Sequence, residues 1–142
     1  MGLTEGFPWL YLIPKKIMGD VEDPIVMYLV VRESLNMPVG KMCVQVGHGV
    51  QYIITDFYEH INENIADRYK IFKEWQYSGV RKVTLKADER EFDRIKEEFG
   101  DSIRVVVDAG ITFLEPGTET VIAFFPMYKS NRPKILKRLQ AL

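Results

Sequence analysis

Residues 25–50 read IVMYLVVR-ESLNMP-VGKMCVQVGHGV, and the change of hydrophobic period inside this stretch decides the fold. Ile25–Arg32 is a β-branched run of strand length and predicts a largely buried strand. Residues 33–38 are a turn, and Pro38, with a fixed φ and no N–H, suits the first position of a helix. From Val39 the period becomes helical. Val39, Cys43, Val46, Val50, Ile53, Ile54 and Phe57 fall on one stripe at steps of three and four, so a helix is expected from Val39 to about His60.

Downstream the same alternation continues. Ile61, Ile65, Tyr69, Phe72 and Trp75 repeat at helical intervals, and Ser78-Gly79 ends the run. Residues 80–86 (VRKVTLK) alternate as a strand. Asp88 caps a helix over 89–99 whose apolar face is Phe92, Ile95 and Phe99, and Gly100 stops it. Residues 103–107 predict a third strand, 108–112 a loop, 115–118 a turn, and 120–125 a fourth strand broken by Pro126. Arg132-Pro133 opens a last helix over 134–142. Strands alternating with helices predict an α/β sandwich with a mostly parallel sheet; the short hop from the third strand to the fourth makes one pair antiparallel.

Upstream, residues 1–24 contain the short apolar run WLYLI (9–13), closed by Pro14. Glu5 precedes it and Lys15-Lys16 follow, the reverse of a secretory signal. Residues 1–24 therefore read as an arm that packs on the domain or on a neighbouring subunit, or as a floppy tail. Residues 25–142 read as one domain without repeats or low-complexity linkers.

The 142-residue chain is 46% hydrophobic and 27% charged, ordinary for a soluble globular protein. No stretch approaches the roughly 20 apolar residues needed to span a bilayer, and no membrane partner is expected. The one cysteine, Cys43, excludes an internal disulfide and a cysteine-rich zinc site, so a reducing, cytoplasmic compartment is expected. A net charge of −1 and a pI near 6.1 give no support to a nucleic-acid partner, which usually goes with a basic excess. The charge is uneven, however. Lys129, Arg132, Lys134, Lys137 and Arg138 occur with no acidic residue between them, and Arg68, Lys70, Lys73, Arg81 and Lys82 form a second basic group. These zones either flank a cleft and hold a phosphate backbone or are merely solvated faces.

Within the first helix, Lys41, Gln45 and His48 stand at i, i+4 and i+7 and form a polar line. The line starts at the helix N-terminus, where free N–H groups and the dipole attract anions. Gly40 lets a ligand approach the backbone, and Lys41 adds a full charge, so the corner suits a phosphate or a developing oxyanion. The alternative is that Lys41 and Gln45 are the wet face of an amphipathic helix. His48, between Gly47 and Gly49, either transfers protons or is hydrogen-bonded under the sheet. Asp108 leaves a strand at its carboxyl end, where open α/β sheets place their sites. Gly110 permits unusual backbone angles beside it, and Thr112 follows; Asp108 either works in a site or caps the turn.

Other chemistries fail on spacing. Leu35 stands where a phosphate-binding loop needs its first glycine, and Met42 follows Gly40-Lys41. Gly47-His48-Gly49 lacks the strand and third glycine of a dinucleotide fingerprint. His48 and His60 have no acidic cluster at metal spacing. Cys43, on the apolar stripe, reads as a packed thiol rather than a nucleophile. No Gly-x-Ser-x-Gly elbow exists.

Taken in order, residues 37–49 (MPVGKMCVQVGHG), Trp75 with 79–86 (GVRKVTLK), and 108–112 (DAGIT) with Pro116-Gly-Thr118 and Thr120-Val-Ile resemble the three signatures of type II peptidyl-tRNA hydrolases over about 25–142. The resemblance implies a three-layer α/β/α sandwich around a four-stranded mixed sheet, a possible homodimer, and no metal or other cofactor. It implies hydrolysis of the ester of peptidyl-tRNA, or of N-blocked aminoacyl-tRNA, with Lys41, His48, Asp108 and Thr112 as catalytic residues. Gly40, Gln45 and Gly110 would bind substrate there, and Lys129 and Lys134 would contact the tRNA. Alternatives are a catalytically weak relative that binds tRNA or a protein, and a hydrolase of another acyl ester. The chain departs from the family at Ile111, where an arginine is usual, at Gly49, where alanine is common, and at Phe124-Phe125, which replace a small, glycine-containing strand end.

Overall fold

The structure, a computed structural model, describes residues 22–61 and 66–142. In chain order the elements are β1 (Ile25–Arg32), α1 (Val39–Glu59), α2 (Ala66–Tyr77), β2 (Lys82–Ala87), α3 (Glu89–Phe99), β3 (Ile103–Val107), β4 (Glu119–Phe124), β5 (Met127–Tyr128), α4 (Lys134–Arg138) and β6 (Gln140–Ala141). The sheet runs β3-β4-β1-β2-β6, with β5 paired to the start of β1. Among the described residues only β1 and β2 are parallel; β1 with β4, β1 with β5, β2 with β6 and β3 with β4 are antiparallel.

β1 is apolar on both faces because both faces are covered, which explains its unbroken hydrophobic run. Met27, Leu29 and Val31 pack with Ile53 and Phe57 of α1 and Phe72 and Trp75 of α2. Val26, Tyr28 and Val30 face the opposite way, against Phe92 and Ile95 of α3 and Leu136 of α4. Three layers result, an α/β/α sandwich. Face-to-face stacking of Phe57 on Phe72, with centroids 3.8 Å apart, joins α1 to α2. Asp88 and Glu91 form the reciprocal capping box of α3, a device worth about 1 kcal/mol.

Several expectations need correction. Among the described residues the sheet has six strands rather than four, two of them only two residues long, and a single parallel pair rather than a parallel majority. β6 exists because the last helix stops at Arg138 and does not reach 142. Residues 140–141 instead pair with Leu85 and Lys86, covering the edge of β2. β2 begins at Lys82, not at residue 80, since Val80 takes a left-handed φ of 48° after Gly79. β4 spans 119–124 rather than 120–125. α1 is also rotated relative to the predicted stripe. Its buried residues are Gln45, Gly49, Ile53 and Phe57, while Val39 and Cys43 are exposed. The physical reason is Gly49. A Cβ there would lie 3.1 Å from Leu29 Cδ2 and 3.3 Å from Ala123 Cβ, tighter than ordinary contact, so α1 makes its closest approach to the sheet with this small residue turned inward. The reading of Cys43 as a packed thiol is thus overturned.

The expected arm over 1–24 falls, except for its last three residues, outside the described residues. Among the described residues no helix is long and apolar enough to cross a membrane.

Candidate active site

Three chain segments meet at one end of the sheet: the first two turns of α1, the exit of β3, and the entry of β4. Pro38 caps α1 without a side-chain bond, and no acidic residue lies in the first turn. The first backbone bond into the helix runs from the Met42 N–H to the Pro38 carbonyl. The N–H groups of Val39, Gly40 and Lys41 therefore precede the helical ladder. A Cβ on Gly40 would meet nothing within 4 Å, so the surface above it is open.

On the opposite wall, β3 and β4 lose register between Val106 and Val107. Such an irregularity re-aims the side chains that follow it. Asp108 comes next and is only 5% exposed. Its N–H donates to the Thr118 carbonyl at 2.8 Å, and its carbonyl accepts from the Gly117 N–H at 2.9 Å, so the loop is stitched to its own return limb. Its Oδ2 accepts from the Gly110 N–H at 2.9 Å. The turn-capping reading of Asp108 is therefore right for one oxygen.

The other oxygen does different work. Asp108 Oδ1 accepts from Lys41 Nζ at 2.6 Å and from Gln45 Nε2 at 3.1 Å. Lys41 Nζ also donates to Thr112 Oγ1 at 3.0 Å. Gln45 is 2% exposed and is oriented from behind, since Thr120 Oγ1 donates to its Oε1 at 2.6 Å. A wet-face reading of Gln45 is thus wrong. Buried at the sheet, it survives there because both ends of its amide are satisfied. Asp108 is held below the ordinary carboxylate range, chiefly by the Lys41 hydrogen bond and against its own burial. The Gly110 N–H, the Lys41 charge and Gln45 act in the same lowering direction.

His48 lies one turn past Gln45 and is exposed, not packed under the sheet. Its ring stacks on Tyr52 with centroids 6.5 Å apart and planes 17° from parallel. Lys41, Gln45, His48, Asp108 and Thr112 line a single cleft of 360 Å³, together with Val44, Tyr52, Val107, Ala109 and Ile111. Thr120 is a member of this network that was legible only as part of the Thr120-Val-Ile signature, because a threonine inside a β-branched strand shows no site role of its own beyond strand propensity.

Gly110 has φ +77°, and a Cβ there would lie 2.4 Å from the Pro116 backbone nitrogen. Gly110→Ala is therefore expected to force the 108–112 and 115–118 limbs apart and to lower Tm through about 1–3 kcal/mol of strain. A thermal melt equal to wild type would show that the loop relaxes without cost.

Lys129 and Lys134 do not reach the cleft. β5 pairs with Ile25 and Val26 at the beginning of β1, whereas the cleft lies beyond Val31, which pairs with Val121. The two ends are roughly 20–25 Å apart at the strand rise of about 3.3 Å per residue. Arg68, whose guanidinium lies 3.3 Å over the Phe125 ring, and Lys82, paired opposite Met27, are at that far end too. Lys129, Arg68 and Lys82 thus lie at the end of the sheet away from the cleft, while Arg138, at the other end of its basic run, lines a separate hollow with Glu33 and Glu91.

The arrangement presents an ammonium, a hydroxyl, an ionised carboxylate and an imidazole to one water-accessible hollow at a helix N-terminus. Comparison with known proteins supplies the context. The family model described as Peptidyl-tRNA hydrolase PTH2 matches residues 25–142. A peptidyl-tRNA hydrolase of Thermococcus onnurineus is 34% identical over 116 residues, covering 79% of this chain and 92% of that protein. One from Thermococcus sibiricus is 35% identical over 102 residues, covering 69% and 80%. One from Thermoplasma acidophilum is 30% identical over 120 residues, covering 82% and 97%. The match runs from the first residue of β1 to the C-terminal residue and takes in both walls of the cleft, so the chain belongs to the PTH2 family of peptidyl-tRNA hydrolases.

Proposed function

We propose that this chain hydrolyses the ester joining a peptide to tRNA, releasing the peptide and free tRNA, and that the reaction takes place in the cleft between α1 and residues 107–112. The observation that carries this reading is the meeting of Lys41, Asp108 and Thr112 within hydrogen-bond distance in an open hollow. Water adds to the ester carbonyl, the bond to the ribose 3′ oxygen breaks, and the proton taken from water ends on that oxygen. Lys41, with the free N–H groups of the first turn, faces the carbonyl oxygen as it gains charge. Asp108 is a weak base because its carboxyl is held low. Its role is to hold Lys41 and to orient the attacking water, while exposed His48 relays the proton. Thr112 fixes the Lys41 ammonium from the second side, and Gln45 fixes Asp108.

The test is incubation with N-acetyl-aminoacyl-tRNA, following release of the acyl group. Release is expected. A salt-dependent shift of tRNA without release would favour a binding protein instead, and turnover of small acyl esters with indifference to tRNA would favour a different esterase.

The partner under this reading is peptidyl-tRNA, met in the cytoplasm. Lys129 and Lys134 then contact the tRNA backbone well away from the ester. Lys129→Ala combined with Lys134→Ala is expected to raise KM, leave kcat close to wild type, and flatten the salt slope of binding by about two phosphate contacts. An unchanged salt slope would remove both residues from the interface.

A further inference from the structure

The cleft also has an apolar lining, drawn from both of its walls, that the hydrolytic chemistry does not use. Ile111 is 87% exposed, Val44 is 54% exposed and Val107 is 51% exposed. All three line the same cleft as Lys41 and Asp108. Single exposed aliphatic residues need no explanation, but three lining one cleft with the reacting groups give that cleft apolar surface. We propose that Ile111, Val44 and Val107 form an acyl-side subsite that takes an apolar side chain of the residue esterified to tRNA. The inference rests on the hydrolase reading and adds a substrate preference to it.

Two parts of the substrate flank the scissile bond: the terminal nucleotide and the acyl residue. The nucleotide side carries phosphate and hydroxyl groups that need donors or cations. Within the cleft those are supplied by Lys41, Thr112 and the first-turn N–H groups of α1. Against Ile111, Val44 and Val107 a phosphate would lose hydration and gain no partner. An aliphatic or aromatic side chain placed there removes apolar surface from water on both partners. The neighbouring charges do not oppose this, because Lys41 and Asp108 neutralise one another at 2.6 Å.

The test compares N-acetyl-leucyl-, N-acetyl-phenylalanyl-, N-acetyl-glycyl- and N-acetyl-aspartyl-tRNA under single-substrate kinetics. The leucyl and phenylalanyl esters should exceed the glycyl ester in kcat/KM by about tenfold, mostly through KM, the scale of discrimination an apolar pocket achieves. Ile111→Ser and Val107→Ser should bring the leucyl-to-glycyl ratio close to one. Tyr77→Ser, an exposed apolar residue on α2 outside the cleft, should leave that ratio as in wild type. Reading a ratio makes the result independent of any general loss of activity in a variant. Equal kcat/KM for all four esters, or a preference that survives both serine variants, would overturn the subsite. If no ester is cleaved, the hydrolase reading fails. The subsite is then judged by binding of the corresponding amide-linked, uncleavable aminoacyl-tRNAs, where equal affinity for leucyl and glycyl forms overturns it as well.

Discussion

Replacing Lys41 with alanine is expected to lower kcat/KM for N-acetyl-aminoacyl-tRNA by about 10²–10³-fold, the usual cost of removing one donor from a developing oxyanion. Lys41 is the only side chain that touches both Asp108 and Thr112 among the hydrogen bonds of the described residues. Among the described residues it is also the one lysine or arginine in the lining of the cleft. The fold should survive, because Asp108 keeps its bonds to Gln45 and to the Gly110 N–H, and the core of α1 lies on Ile53 and Phe57, farther along the helix. Circular dichroism and a melt close to wild type, together with the loss of turnover, would place the effect in the chemistry. Lys41→Arg should not restore the rate. A planar guanidinium cannot place one compact charge between a carboxylate at 2.6 Å and a hydroxyl at 3.0 Å. Turnover near wild type in the alanine variant would remove the ammonium from the mechanism.

Asp108→Asn carries the second large effect. The shape is kept while the charge is lost, and kcat/KM should fall by about 10²-fold or more, because Lys41 loses its anchor and the attacking water its orientation. The substitution also predicts a pH signature. Asp108 has a folded pKa below its unfolded value, near 3.9, because Lys41 binds the ionised form. Its stabilisation is therefore fully present above the unfolded value and is lost as pH falls through the lower folded value. The Tm difference between wild type and Asp108→Asn should be constant from neutral pH down to about pH 5 and should shrink below about pH 4. A difference that stays constant into strong acid would mean that the ion pair contributes nothing in solution.

The order of elements was legible because periodicity reports burial directly. The two-sided cover of β1 makes its residues uniformly apolar, and the capping box of α3 is written as Asp88 and Glu91. Strand direction was legible only at the short hop from β3 to β4, which implied the antiparallel pair that is found. Elsewhere the period-two pattern is the same for parallel and antiparallel neighbours, so nothing in β4 told that it also runs antiparallel to β1. The end of α4 was missed for a related reason. Residues 139–142 have helical composition, but the open edge of β2 competes for their backbone groups.

At the site, the spacing of Lys41, Gln45 and His48 correctly put three polar groups toward one side of α1, and DAGIT correctly marked a loop with a left-handed glycine. What spacing could not give was the rotation of the helix. A stripe built from Val39, Cys43 and Val46 assigns the buried face to the largest apolar residues, yet close approach is set by the smallest one, Gly49. That rotation buries Gln45 and leaves Cys43 in solvent. Lys129 and Lys134 lie outside what spacing could place. A basic run says that charge is present, but only the pairing of β5 with the start of β1 says at which end.

The central claim is that Lys41 and Asp108 work as one unit, which a double-mutant cycle on single-turnover cleavage of N-acetyl-aminoacyl-tRNA measures most directly. If the pair is the reacting centre, Lys41→Ala, Asp108→Ala and the double variant should lose similar amounts of activity, since breaking either half already disables the unit. Losses that multiply in the double variant would mean two groups acting independently, and near-wild-type cleavage in either single variant would contradict the account outright.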